Sequence, residues 1–214
     1  YCIFKLSGEI VSDPLSNIGL VDNNLKYIDD LLGLVSGAAA KLPPLKKMTE
    51  QVGVIKKEIP FKGTKIINGT MDAWIGILGS GGFENKKNIY LSGTSEILGI
   101  NSKEVIPTPG IIIFPEDENI KLHAGPTQSG GASKLWFCNL FNLTPLEMNK
   151  LVENENFNDV PPIFLPHLQG ERAPLWNPNL KGIFYGMNSK TNKGNLARSV
   201  YEGVSFSAKL ILES

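Results

Sequence analysis

Two glycines bracketing an aromatic run, in Gly182, Ile183, Phe184, Tyr185, Gly186 and Met187, constrain the fold of this chain more than any other stretch. Glycine reaches backbone angles closed to other residues, so the run reads as a short strand with a tight end. After seven more residues, Asn195, Leu196, Ala197, Arg198, Ser199, Val200, Tyr201 and Glu202 open a new segment. Ala197, Val200, Val204 and Ala208 then recur at helical spacing, which predicts a helix over 195–212 with those four on one face. A strand, a tight turn and a helix with one apolar face make an α/β unit.

Residues 63–79 carry a second signal. Lys65, Ile66, Ile67 and Asn68 read as a strand, Ala73 to Leu78 as a helix, and Asp72 stands at the corner between them. A carboxylate there has two readings: a cap for the helix amides, or an exposed, aimed general base. Residues 88–99 then give a strand, a Gly93-Thr94-Ser95 turn and a second strand. Small residues let backbone N–H groups approach an anion, and the Thr94 and Ser95 hydroxyls add donors. An ordinary hairpin turn is the other reading. The turn holds no lysine and lacks the Gly-Lys-Ser/Thr ending of a P-loop.

Three further segments are less committed. Residues 165–178 hold Pro166, Pro174 and an Asn177-Pro178 step, which makes an extended connection; Glu171 and Arg172 there have two readings, partners of residues elsewhere that hold the loop against the cleft, or, more cheaply, a solvated surface pair of little energetic weight. Asp13, after the Gly8 turn, reads as a turn or cap residue. Gly130 and Gly131, between a strand and a helix, read as architecture.

In this order, the segments resemble the FGGY carbohydrate kinases over nearly the whole chain, with a xylulokinase-like character. The resemblance implies an α/β, ribonuclease H-like fold shared with actin, Hsp70 and sugar kinases. It implies parts of two domains: 1–83 as the C-terminal part of the sugar-binding domain and 84–214 as the N-terminal part of the nucleotide-side domain. It assigns Asp72 as the catalytic base, Gly93, Thr94 and Ser95 to phosphate, and ATP with Mg2+ as donor and cofactor. The acceptor would be a sugar or polyol hydroxyl. The family's first phosphate hairpin belongs upstream of Tyr1 and its adenosine loop beyond Ser214, and residues 52–60 are compressed relative to the family's usual helix. An isolated piece is therefore expected to be inactive and to bind ATP weakly. Two other readings stay open: a sugar- or nucleotide-sensing module with an actin-like core, and a purely structural domain.

Composition sets limits. Of 214 residues, 42% are hydrophobic, enough for a core, and 21 basic residues balance 21 acidic ones, which gives no reason to expect nucleic acid or an anionic membrane as partner. Two scattered cysteines make neither a disulfide framework nor a zinc site and fit a reducing cytoplasm. No apolar run approaches the roughly 20 residues of a membrane helix. Apolar surface normally covered by absent parts would favour self-association, with a homodimer as one form. His123 and His167 have no second ligand nearby and read as structural or surface residues.

The remaining pattern predicts an amphipathic helix over 24–36, strands over 89–92, 95–100, 111–114 and 121–124, and helices over 131–141 and 145–153. Gly79, Gly81, Gly82 and the polar run 84–88 mark a linker with a boundary near Phe83.

Overall fold

A computed structural model describes residues 1–82, 88–114 and 121–214. The boundary placed near Phe83 lies outside the described residues. The chain divides into two compact units, one of residues 1–87, 101–104 and 114–122, the other of residues 88–100, 105–113 and 123–214.

In chain order the first unit holds α1 (Cys2–Ser7), a 3-10 turn at Leu15–Asn17, α2 (Asp29–Gly33), α3 (Ala38–Lys41), β1 (Gln51–Val54), β2 (Lys65–Ile67) and α4 (Asp72–Gly79). β1 and β2 pair antiparallel, Val54 opposite Lys65 and Gln51 opposite Ile67, with a bulge between Gln51 and Gly53. Thus β1 enters the compressed stretch 52–60, where no strand was expected. α4 is pinned by Trp74 and Ile77, both buried, and the Trp74 ring lies 5.6 Å from that of Phe114.

The helix expected over 24–36 is only α2, five residues long. The Asp22 carboxylate accepts the amides of Asn24 and Lys26, both at 2.9 Å, and Leu25 adopts φ 60°. Those local bonds give the backbone a turn in place of a helix start, and Leu34 and Val35 stay exposed.

β3 (Asn88–Ser92), β4 (Glu96–Ser102), β5 (Ile112–Ile113) and β6 (Lys121–Thr127) form a four-stranded sheet in the order β3-β4-β6-β5. β3 and β4 are an antiparallel hairpin closed by Ser92 opposite Glu96. The second unit continues with α5 (Gly131–Leu140), α6 (Pro145–Glu153), β7 (Ile163–Leu165), β8 (Ile183–Tyr185) and α7 (Lys193–Leu212).

α6 starts where its sequence says it should: Thr144 caps the Glu147 amide, the Glu147 carboxylate returns to the Thr144 amide, and Pro145 supplies a preset φ at the first position. The glycine-bracketed run is β8, antiparallel to β7, and Gly186 ends it at φ 83°. α7 begins with a reciprocal cap between Asn192 and Asn195. Its expected face is real: Ala197, Val200, Val204 and Ala208 are all buried. Ala197 and Val200 join Phe137, Cys138, Met148 and Phe164 in one core cluster, and the Trp136 ring stacks on Phe164 at 5.8 Å. Burying an aliphatic or aromatic side chain stabilises by about 1.5–3 kcal/mol, so this cluster fixes α5, α6 and α7 around the β7-β8 pair.

Candidate active site

Asp72 is the first residue of α4, and Met71, not Asp72, occupies the cap position. Its side chain is exposed, and Oδ1 accepts only the amide of Ala73, at 2.7 Å. A carboxylate in a first helical turn is favoured by the helix dipole. One oxygen is thus oriented while Oδ2 has no hydrogen bond within the described residues, an arrangement open to a proton donor.

The corner that presents Asp72 is braced from behind. Asn68 Nδ2 donates to the carbonyls of Ser12 at 3.1 Å and Lys46 at 2.9 Å, and the Asn68 and Gly69 amides reach the Glu50 and Met48 carbonyls. The Thr70 hydroxyl donates to Asp13 Oδ1, which also accepts the Ser16 amide at 3.0 Å. Asp13 is therefore the buried turn residue its spacing predicts. It also ties the strand-to-helix corner to the 3-10 turn.

Gly93, Thr94 and Ser95 lie together at the β3-β4 turn, Gly93 and Thr94 exposed and Ser95 partly buried. The turn is clasped by the start of α5: the Gly131 amide donates to Gly93 O at 2.8 Å and the Ala132 amide to Thr94 O at 3.0 Å. A Cβ on Gly131 would sit 2.6 Å from Gly93 O, and one on Gly130 would sit 2.9 Å from Thr94 O. Glycine is required here by close approach of two backbones. The Gly130-Gly131 pair is architecture, as expected, and Gly131 also lines the adjoining cleft.

That cleft, about 360 Å³, belongs to the second unit and is lined by Gly93 and Thr94, by α5 through Gly131 and Lys134, and by Asn149 and Tyr201. Sequence reasoning found no cation in the turn. The structure brings Lys134 to the same cavity from one helical turn beyond Gly131.

Glu171 matches the first of its two readings and is no solvated surface pair: its carboxylate is buried, 4% exposed, and makes six hydrogen bonds among the described residues. Oε1 accepts the Thr127 hydroxyl at 2.9 Å and the amides of Gln128 at 2.6 Å and Arg172 at 2.8 Å. Oε2 accepts the Ser129 hydroxyl at 2.7 Å and the Ser207 hydroxyl at 3.4 Å, and faces His167 Nδ1 at 3.1 Å. Burial alone would raise its pKa. The bonds from Gln128, Ser129, Arg172 and Thr127 outweigh that and hold it below the ordinary glutamate value. Arg172 turns away from the carboxylate to donate from Nη2 to Thr127 O at 2.9 Å. The proline-rich loop is thereby tied to the end of β6, next to the glycines that clasp the Thr94 turn.

His123 is buried and accepts the Ile106 amide on Nε2 at 3.1 Å, a structural role. Cys138 is a free, buried thiol and Cys2 a free, exposed one. Among the described residues no three His, Cys, Asp or Glu side chains gather as a metal site, and no helix is long and apolar enough to cross a membrane.

Residues 89–214 match the profile of the FGGY family of carbohydrate kinases, C-terminal domain, and the chain belongs to that family. A xylulose kinase of Klebsiella pneumoniae is 24% identical over 217 residues, covering 96% of this chain and 45% of that protein. The crystal structure of a ligand-bound xylulose kinase from Lactobacillus acidophilus superposes with a TM-score of 0.86 at 27% identity, over 99% of this chain and 46% of that one. A Plasmodium falciparum glycerol kinase solved with ADP superposes at 0.84 with 22% identity, over 100% of this chain and 45% of that one. The fold is thus the α/β, ribonuclease H-like fold of the sugar kinases. This chain spans less than half the length of these relatives.

Proposed function

We propose that this chain is the middle of an ATP-dependent carbohydrate kinase, joining the end of the sugar-binding domain to the start of the nucleotide-side domain, with Asp72 as general base and the Gly93-Thr94-Ser95 turn as a phosphate contact. The observation that carries the reading is the exposed Asp72 carboxylate, with one oxygen fixed by the Ala73 amide. A buried and fully capped aspartate would instead favour a sensing module.

A sugar or polyol hydroxyl is a weak nucleophile. Asp72 accepts its proton as the hydroxyl oxygen bonds to the terminal phosphorus of ATP, and the bond from that phosphorus to the bridging oxygen breaks to leave ADP. The Thr94 hydroxyl and backbone amides of the turn hold phosphate oxygens. The cleft beside the turn fits this use, because Gly93 and Thr94 line it. Magnesium bound with the nucleotide would supply charge neutralisation on the phosphates, through few protein ligands.

The test is an ATP-dependent phosphorylation assay of the complete protein against a panel of xylulose, ribulose, gluconate and glycerol. The reading predicts ADP release that requires one of these acceptors. Absence of acceptor-dependent ADP release across sugars and polyols would reject it. The 214-residue piece by itself should show weak or no ATP binding by calorimetry, and micromolar binding would favour the sensing module.

A further inference from the structure

Among the described residues, the Lys134 side chain is the only charged group on the wall of the cleft beside the Thr94 turn. It gets there by helix geometry. Gly131, Lys134, Leu135 and Cys138 follow i, i+3, i+4 and i+7 along α5 and all line the cavity. The ammonium is partly buried and has no carboxylate partner among the described residues. It rests 5.2 Å from the centroid of the Tyr201 ring, whose hydroxyl donates to Asn149 Oδ1 on the same wall.

A lysine over an aromatic face gains less than an ammonium gains from a charge-assisted hydrogen bond to an anion. Such a side chain has four rotatable carbons and three donors, so it can exchange the ring for an anion within reach. Thr94 offers neutral donors at the other side of the same cavity. An anion spanning the two would meet a hydroxyl and a positive charge with no acidic side chain on the lining to oppose it.

We propose that Lys134 binds the polyphosphate of the nucleotide, supplying the positive charge that the Gly93-Thr94-Ser95 turn lacks. The assignment rests on the kinase reading above. It differs in making a protein side chain, besides any metal ion, responsible for charge neutralisation.

Two ligands separate phosphate recognition from base recognition: ADP with magnesium, and adenosine. In the complete protein, Lys134→Met keeps the length of the side chain and removes its charge. Its ADP affinity should fall about tenfold, the scale of one charge-assisted hydrogen bond, while adenosine affinity and the KM for the sugar stay as in the wild type. Lys134→Arg should recover most of the ADP affinity. The gap between wild type and the Met variant should narrow as salt rises. Equal ADP affinity in the Met variant would overturn the proposal, and so would an equal loss for adenosine and ADP, which would make Lys134 a contact for the base or a packing residue. A wild-type protein that binds no ADP would instead reject the kinase reading itself.

Discussion

The Asp72 corner and the Thr94 turn solve opposite problems. Asp72 is exposed at a helix start, its side chain making, among the described residues, a single hydrogen bond, from its neighbour's amide, and the bracing falls on Asn68, Gly69 and Thr70 before it. Thr94 is exposed too, but its backbone is clasped by α5, and the strand end beside that clasp is held by the buried Glu171. A base must have a free oxygen at the point of reaction, whereas a phosphate turn works through backbone positions that have to be rigid beforehand. Side-chain changes at the first should therefore alter chemistry with little effect on stability. Changes behind the second should cost stability first.

The largest effect falls on the second region. Glu171→Ala leaves two partly buried amides and three buried hydroxyls without their acceptor, and losses of this kind cost about 3 kcal/mol or more. Chemical denaturation of the complete protein would show it, and a loss under about 1 kcal/mol would remove Glu171 from its central position. Glu171→Gln should lose much less, since its carbonyl can face the amides of Gln128 and Arg172 while its NH2 faces hydroxyls. The charge also predicts a pH dependence. Because the folded-state pKa is lowered from 4.5, the stability it contributes is complete above about pH 4.5 and is lost as pH falls through the lower folded value. The Gln variant should flatten that acid limb.

At the first region, Asp72→Asn should lower kcat about a hundredfold or more, while the melting temperature and sugar affinity hardly move. Near-normal turnover would reduce Asp72 to a favourable first-turn charge. Gly131→Ala comes next: its Cβ would meet Gly93 O at 2.6 Å, so the clasp must open, at roughly 1–3 kcal/mol and with a raised KM for ATP. A variant with unchanged stability and KM would show that the turn tolerates displacement. The smallest effect belongs to the exposed Lys46–Glu50 pair on the surface of the first unit, 2.7 Å apart. Lys46→Ala should leave stability nearly unchanged, and a clear loss would mean that the Lys46 carbonyl, which holds Asn68, had moved.

Where local chemistry and tertiary packing agree, the sequence was readable. α6 follows from Thr144, Pro145 and Glu147, and the buried face of α7 follows from the spacing of Ala197, Val200, Val204 and Ala208. The segment around α2 misled because apolar spacing over 24–36 competes with Asp22, whose carboxylate holds the following amides in a turn. At Glu171 the sequence left a loop-holding role and a solvated pair side by side, for a different reason. Its partners Thr127 and Ser129 lie more than 40 residues away, and no local pattern reveals them. Lys134 was missed likewise, since its relevance appears only when α5 is packed against the Gly93 turn. The signal available in advance was modest: a polar residue one helical turn after a Gly-Gly pair.

The most direct measurement of the central claim is a crystal structure of the complete protein with MgADP and its sugar or polyol acceptor. The account predicts an Asp72 carboxylate oxygen within about 2.6–3.2 Å of the acceptor hydroxyl and nucleotide phosphate on the Gly93-Thr94-Ser95 turn. An acceptor bound away from Asp72, or a nucleotide whose phosphates lie away from that turn, would contradict it.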